Sequence, residues 1–191
     1  MTAAHSRYRG NNTQGLTRLF RSWLTGIPQL LCSIAAVSLL VYVNAAQATE
    51  KLKTFKLETL GGETRTLDDF RNKATLIAFF YPSCTYCNQA FPETVKVYEK
   101  YKGQGLSMVW INIVEEEEEL IPDWLAKHQY TVPVLVGAAQ QYLLRRYDLQ
   151  MTPTHFIVNA DREILFKQTG YKTGYEKELE KNVRQALNLA P

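Results

Sequence analysis

Phe79-Phe80-Tyr81-Pro82-Ser83-Cys84-Thr85-Tyr86-Cys87 is the stretch on which the reading of this chain turns. It closes an uncharged run of eight residues, Ala74 to Tyr81. Such a run is short enough for a strand buried on both faces and too short for a packed helix. A helix is expected next. Beyond Cys84, Phe91, Val95 and Tyr98 recur at helical spacing, and Glu93, Lys96, Glu99, Lys100 and Lys102 fall on the other faces. Cys84 is thereby placed at the N-terminus of that helix and Cys87 one turn inside it.

That placement has chemical consequences. Unpaired amide N–H groups and the positive end of the helix dipole favour a thiolate, so Cys84 is the candidate attacking sulfur at neutral pH. Cys87 is shielded, yet close enough to close a small disulfide ring and to resolve a mixed disulfide formed at Cys84. The same spacing also fits half of a zinc site or a structural disulfide. Zinc wants four ligands, and the chain holds no second C-x-x-C and no H-x-x-x-H.

The charge is unevenly distributed. Residues 1–48 hold Arg7, Arg9, Arg18 and Arg21 and no acid, leaving 18 of the 22 basic residues to face all 19 acids further on. The formal net charge of +3 therefore belongs to the first segment, and the remainder is nearly neutral. This gives no support to nucleic-acid binding. The first segment reads as a targeting sequence, with a basic region to Arg21, an apolar run from Leu30 to Val43, and Ala46-Gln47-Ala48 as a cleavage pattern. Ile27 to Ala46 is also nearly long enough to span a bilayer, so residues 1–48 read as a signal peptide or an N-terminal membrane anchor. Both place the rest of the chain outside the cytoplasm. Cys32 lies inside the apolar run, which leaves Cys84 and Cys87 as the two cysteines of the exported part.

Residues 49–191 have the length of one domain. Gly61-Gly62 between two weakly alternating stretches predicts an N-terminal hairpin, followed by a capped turn at Leu67-Asp68-Asp69-Phe70. Leu106 to Val114 is a second buried strand, so strand, helix and strand form a parallel crossover. Glu115 to Glu119 reads as a solvated helix start, with a cation or partner site as the alternative, and the helix continues through Trp124, Leu125 and His128. Val132 to Val136 reads as a short strand and Ala138 to Tyr147 as a short helix. His155–Val158 and Ile164–Lys167 flank a turn at Asn159-Ala160-Asp161-Arg162, and Gly174 to Leu189 closes the chain as a helix.

This order of elements, with C-x-x-C at the first strand-to-helix junction, resembles the thioredoxin fold. The N-terminal β-hairpin, the inserted helix-strand unit and the export segment are similar to those of the TlpA/ResA-like family of exported thiol-disulfide oxidoreductases. The resemblance covers roughly residues 50 to 190. It rests on the strand with Cys84 and Cys87, Pro92 inside the helix, Val132-Pro133-Val134-Leu135, and Met151-Thr152-Pro153-Thr154 before a strand. It implies an α/β fold with a central mixed sheet and a cis Pro153 against the sulfurs. On the residues alone, Thr152-Pro153 reads either as a plain turn before a strand or as a cis turn where Thr152 presents its backbone to an extended substrate, and Tyr86, an aromatic between the cysteines, reads as an exposed contact residue for the partner. The implied partners are a protein disulfide substrate, such as an apocytochrome c, and a membrane dithiol electron donor. No cofactor is implied, and the location is the periplasm or another extracytoplasmic space.

The chain departs from that family at several positions. Ser83 stands where relatives carry Trp, and Thr85-Tyr86 stand where they carry proline. Ala78 and Ala90 occupy the places of two carboxylates that would accept the Cys87 proton, so Glu93 or a water is the remaining candidate base. His155, two residues after Pro153, reads either as a buried hydrogen-bonded histidine or as a group that stabilises a thiolate. Two other functions fit part of the pattern. Phe80-Tyr81-Pro82 resembles the approach to the cysteine of a peroxiredoxin-like thiol peroxidase, though Tyr81 stands where that family wants Thr or Ser. Cys84, Cys87 and His155 could also hold copper in a thioredoxin-like chaperone.

Overall fold

The structure, a computed structural model, describes residues 49–190. The expectations for Cys32, the basic region, the apolar run and Ala46-Gln47-Ala48 lie outside the described residues. Among the described residues no helix is long and apolar enough to cross a membrane.

Strand β3 (Ala74–Phe80) is buried at every position, as its uncharged sequence requires. It sits inside a seven-stranded sheet of order β2-β1-β5-β4-β3-β6-β7. The other strands are β1 (Lys56–Thr59), β2 (Thr64–Thr66), β4 (Leu106–Asn112), β5 (Val134–Val136), β6 (Thr154–Asn159) and β7 (Ile164–Thr169). β3 pairs parallel with β4, and β4 with β5; the β1–β2, β1–β5, β3–β6 and β6–β7 pairs are antiparallel. The sheet is therefore mixed, and both hairpins expected from the sequence form at its edges. β5 is the inserted strand, and it joins the N-terminal hairpin to the parallel centre.

The alternation of side chains along β3 and β4 divides the core in two. Leu76, Ala78, Phe80, Met108 and Trp110 face one layer, against α1 (Thr85–Tyr101), α2 (Ile121–His128) and α4 (Tyr175–Ala186). Ile77, Phe79, Val109 and Ile111 face the other, against α3 (Gln140–Arg146) and the segment from Leu52 to Leu67. A 3₁₀ turn over Leu67–Phe70 enters β3 through a capping box, in which Asp69 accepts from the Thr66 N–H at 2.6 Å and from its hydroxyl at 2.8 Å.

Two sequence expectations need correction. The buried face of α1 is Cys87, Ala90, Phe91, Thr94, Val97 and Tyr101, and Val95 and Tyr98 lie at its margin, half-exposed. The cause is Thr94, a polar residue that packing and hydrogen bonds take inside. The acidic run is not simply a solvated helix start. It forms a 3₁₀ helix over Glu115–Leu120 that precedes α2, and two of its carboxylates bind backbone elsewhere. Glu118 accepts the Gly137 N–H at 2.8 Å, and Glu117 reaches the cysteine loop.

Candidate functional site

The site forms where β3 ends and α1 begins. Cys84 is the N-cap residue of α1, and its sulfur accepts the Cys87 N–H at 3.1 Å, so one of the orphan amides of the first turn points at the candidate nucleophile. Cys84 and Cys87 form a disulfide with Cα atoms 5.2 Å apart. Cys84 is 3% exposed and Cys87 fully buried, in line with an outer and an inner sulfur. The Cys84 N–H closes a turn on the Tyr81 carbonyl at 3.1 Å.

Helix α1 is fixed under this turn by aromatic packing. Phe91 stacks on Trp110 at 4.2 Å between ring centroids, and Phe80 lies 5.4 Å from Phe91 and 5.1 Å from Trp124. Each such pair contributes about 0.5–1.5 kcal/mol beyond its buried area. Asn88, the residue after Cys87, donates to the Pro82 carbonyl at 3.0 Å and accepts from Trp124 Nε1 at 2.8 Å. One side chain thus ties the cysteine loop to α2. Ser83 is held by Glu117, which accepts its N–H at 2.8 Å and its hydroxyl at 2.6 Å. Sequence reasoning missed the roles of Asn88, Glu117 and Thr94, because each meets its partner through long-range packing.

The loop before β6 comes up against the disulfide. The Thr152–Pro153 bond is cis, and the Thr152 hydroxyl lies 3.4 Å from Cys84 Sγ. Two bonds pin the loop, Gly170 N–H to the Pro153 carbonyl at 2.8 Å and Thr154 hydroxyl to the Met151 carbonyl at 2.6 Å. Tyr86 is exposed and lines a groove with Met151, Thr169, Gly170, Tyr171 and Lys172. The five sites singled out in the sequence, Cys84, Cys87, Thr152, Pro153 and Tyr86, thus lie around one end of the sheet.

The candidate proton acceptors are arranged differently. Ala78 and Ala90 are both fully buried. Glu93 pairs with Lys96 at 2.7 Å on the outer side of α1. His155 is fully buried, opposite Ala78 in the β3–β6 register, with Nε2 3.4 Å from the Thr94 hydroxyl. Thr94 bonds the Ala90 carbonyl at 3.1 Å and also the Tyr175 hydroxyl, which itself reaches the Ala90 carbonyl at 2.6 Å. The tautomer with its proton on Nε2, donated to the Thr94 oxygen, leaves Nδ1 as an unprotonated acceptor. Nδ1 has no partner among the described residues. Burial pushes the imidazole down to about 4 and pushes the Tyr175 hydroxyl up. Among the described residues no three His, Cys, Asp or Glu side chains converge as a metal site, so His155 and the two sulfurs are not brought together as copper ligands.

The profile of the Redoxin family matches residues 47–187. Two curated relatives are thiol-disulfide oxidoreductases named ResA. The one from Bacillus subtilis is 27% identical over 155 residues, covering 78% of this chain and 84% of the relative. The one from Halalkalibacterium halodurans is 27% identical over 130 residues, covering 68% and 73%. Among solved structures, a putative thiol:disulfide interchange protein DsbE from Chlorobium tepidum superposes with a TM-score of 0.66 at 23% identity, over 73% of this chain and 96% of that one.

Proposed function

The chain belongs to the Redoxin family and is a thiol-disulfide oxidoreductase of thioredoxin-like fold, and from that premise we propose that it works as a reductase outside the cytoplasm. Cys84 is the attacking thiol, Cys87 the resolving thiol, and Thr152-Pro153 with Tyr86 the surface that receives the substrate. The observation that carries this reading is the Cys84–Cys87 disulfide at the N-cap of α1, with the Thr152 hydroxyl 3.4 Å from Cys84 Sγ.

In the reduced chain, the Cys87 N–H and the helix dipole stabilise a thiolate on Cys84. That thiolate attacks one sulfur of a substrate disulfide; a bond forms to Cys84, and the other substrate sulfur leaves as a thiolate and takes up a proton. Cys87 then loses its proton and attacks Cys84 Sγ, and the second substrate sulfur is released. Two electrons pass from the dithiol to the substrate, and the chain is left in its disulfide form. The groove beside Tyr86 and Met151 suits an extended segment of a folded partner, whose backbone pairs along the Thr152 loop.

Residues 1–48 serve as signal peptide or membrane anchor, on the strength of their basic-then-apolar sequence. A membrane dithiol carrier then restores the reduced state, and a protein disulfide such as that of an apocytochrome c receives the electrons. The test is direct. The reduced full chain should reduce insulin disulfides, and Cys87→Ser should accumulate mixed disulfides with substrate while Cys84→Ser does not. A dithiol potential of about −220 mV or lower supports the reductase direction; one near about −120 mV, the range of a strong oxidant, overturns it. Trapping through Cys84→Ser alone reverses the two roles.

A further inference from the structure

The residue before Cys84 is held in an unusual way. Around it the loop satisfies itself locally, since the Cys84 N–H bonds the Tyr81 carbonyl and the Pro82 carbonyl accepts from Asn88. Ser83 instead gives both its N–H and its hydroxyl to one carboxylate, that of Glu117, 34 residues away in sequence, at 2.8 and 2.6 Å to its two oxygens. No ion pair among the described residues includes Glu117. Its charge is therefore met by two neutral donors, one of them the peptide N–H next to the attacking cysteine. Beside Tyr86, on the groove, Lys172 is already matched by Glu178 at 2.9 Å.

We propose that Glu117 sets both the position and the charge environment of Cys84: it clasps the Ser83 turn and holds a carboxylate one residue from the attacking sulfur, which makes the dithiol a stronger reductant. This rests on the reductase reading above. The sign comes from the charges of the two redox states. The disulfide is neutral, whereas the reduced site carries a thiolate on Cys84. A neighbouring carboxylate repels that thiolate and leaves the disulfide untouched, so it shifts the equilibrium toward oxidised enzyme and reduced substrate. The N-terminus of α1 acts in the opposite direction, because its amides favour the thiolate. Glu117 is a positioning residue; it does not touch the reacting atoms.

The experiment separates charge from position. Glu117→Gln keeps an oxygen for the Ser83 N–H and an amide for its hydroxyl but removes the charge; Glu117→Ala removes both. The full chain and each variant are equilibrated with glutathione above the pH at which Cys84 titrates, and the thiolate is followed by its ultraviolet absorbance. A partly solvated charge at this remove is expected to change the ratio of reduced to disulfide enzyme by about two- to fivefold. In E117Q that ratio rises, Cys84 titrates at lower pH, and both shifts shrink as salt is added. E117Q that matches wild type in ratio and titration overturns the proposal, as does a shift seen in E117A with none in E117Q. A wild-type chain that does not reduce insulin would instead overturn the functional reading itself, so the two failures are distinguishable.

Discussion

His155 should make the stability of the folded domain fall as the solution is acidified, well before carboxylates protonate. The imidazole is fully buried and held down to about 4, against an ordinary value of 6.5, by loss of water alone. Among the described residues no charged group offsets this. The elements around it present Thr94 from α1, Tyr175 from α4, Gln168 from β7 and Ala78 from β3, none of them a carboxylate. The folded state therefore binds fewer protons than the unfolded chain between pH 6.5 and 4. Stability is fully present above pH 6.5 and is lost as the pH falls toward 4. Linkage gives a loss of about 2 kcal/mol between pH 7.5 and 5, and about 3 kcal/mol by pH 4.

Urea unfolding of the disulfide form at fixed pH is the assay. With a slope of about 2 kcal/mol/M, the midpoint should fall by about 1 M between pH 7.5 and 5. His155→Phe keeps an aromatic ring beside Phe91 and Tyr175 and cannot titrate, so most of that fall should vanish in it. Thr94 retains the Ala90 carbonyl and the Tyr175 hydroxyl as partners. A wild-type midpoint that stays level from pH 7.5 to 5, or a H155F midpoint that falls as far as the wild type, refutes the reasoning.

Single contacts set three further outcomes. Tyr175→Phe removes a buried hydroxyl from the Ala90 carbonyl and Thr94 and should cost about 1–2 kcal/mol in urea unfolding. Asn88→Ala frees the Pro82 carbonyl and strands the Trp124 N–H; it should cost about 1–3 kcal/mol and slow insulin reduction at an unchanged helix content by circular dichroism. Gly105 has a φ of 106° and leads into β4, and a Cβ there would come within 2.7 Å of the Lys73 side chain, so Gly105→Ala should lower stability by about 1 kcal/mol or more with little change in exchange rate.

Features that depend on local pattern are legible in the sequence. Ala74 to Phe80 has no charged residue, which suits it to a doubly buried strand, and the cysteines with the spacing beyond them mark the helix after it. The face of α1 is harder to read, because apolarity is the usual guide to burial and Thr94 is polar. Thr94 goes inside because its hydroxyl meets Tyr175, 81 residues later, and the Ala90 carbonyl four residues earlier. Asn88 with Trp124, and Ser83 with Glu117, are of the same kind, linking residues 36 and 34 apart. Periodicity tells which side of a helix is buried; it does not tell which distant side chain arrives there.

The acidic run carries the same limit into the site. Five consecutive glutamates look interchangeable in sequence, a solvated face with the charge of a helix start. The 3₁₀ geometry of Glu115–Leu120 breaks the equivalence by turning successive side chains toward different neighbours. Glu118 is given to the Gly137 N–H, Glu117 to Ser83, while Glu115, Glu116 and Glu119 stay exposed. The Ser83 position matters to this outcome. A bulky aromatic before Cys84 would have no hydroxyl for Glu117, and only the backbone N–H would remain as donor. The serine before Cys84 and the glutamate hidden in a charge run are therefore one feature, which neither residue signals alone.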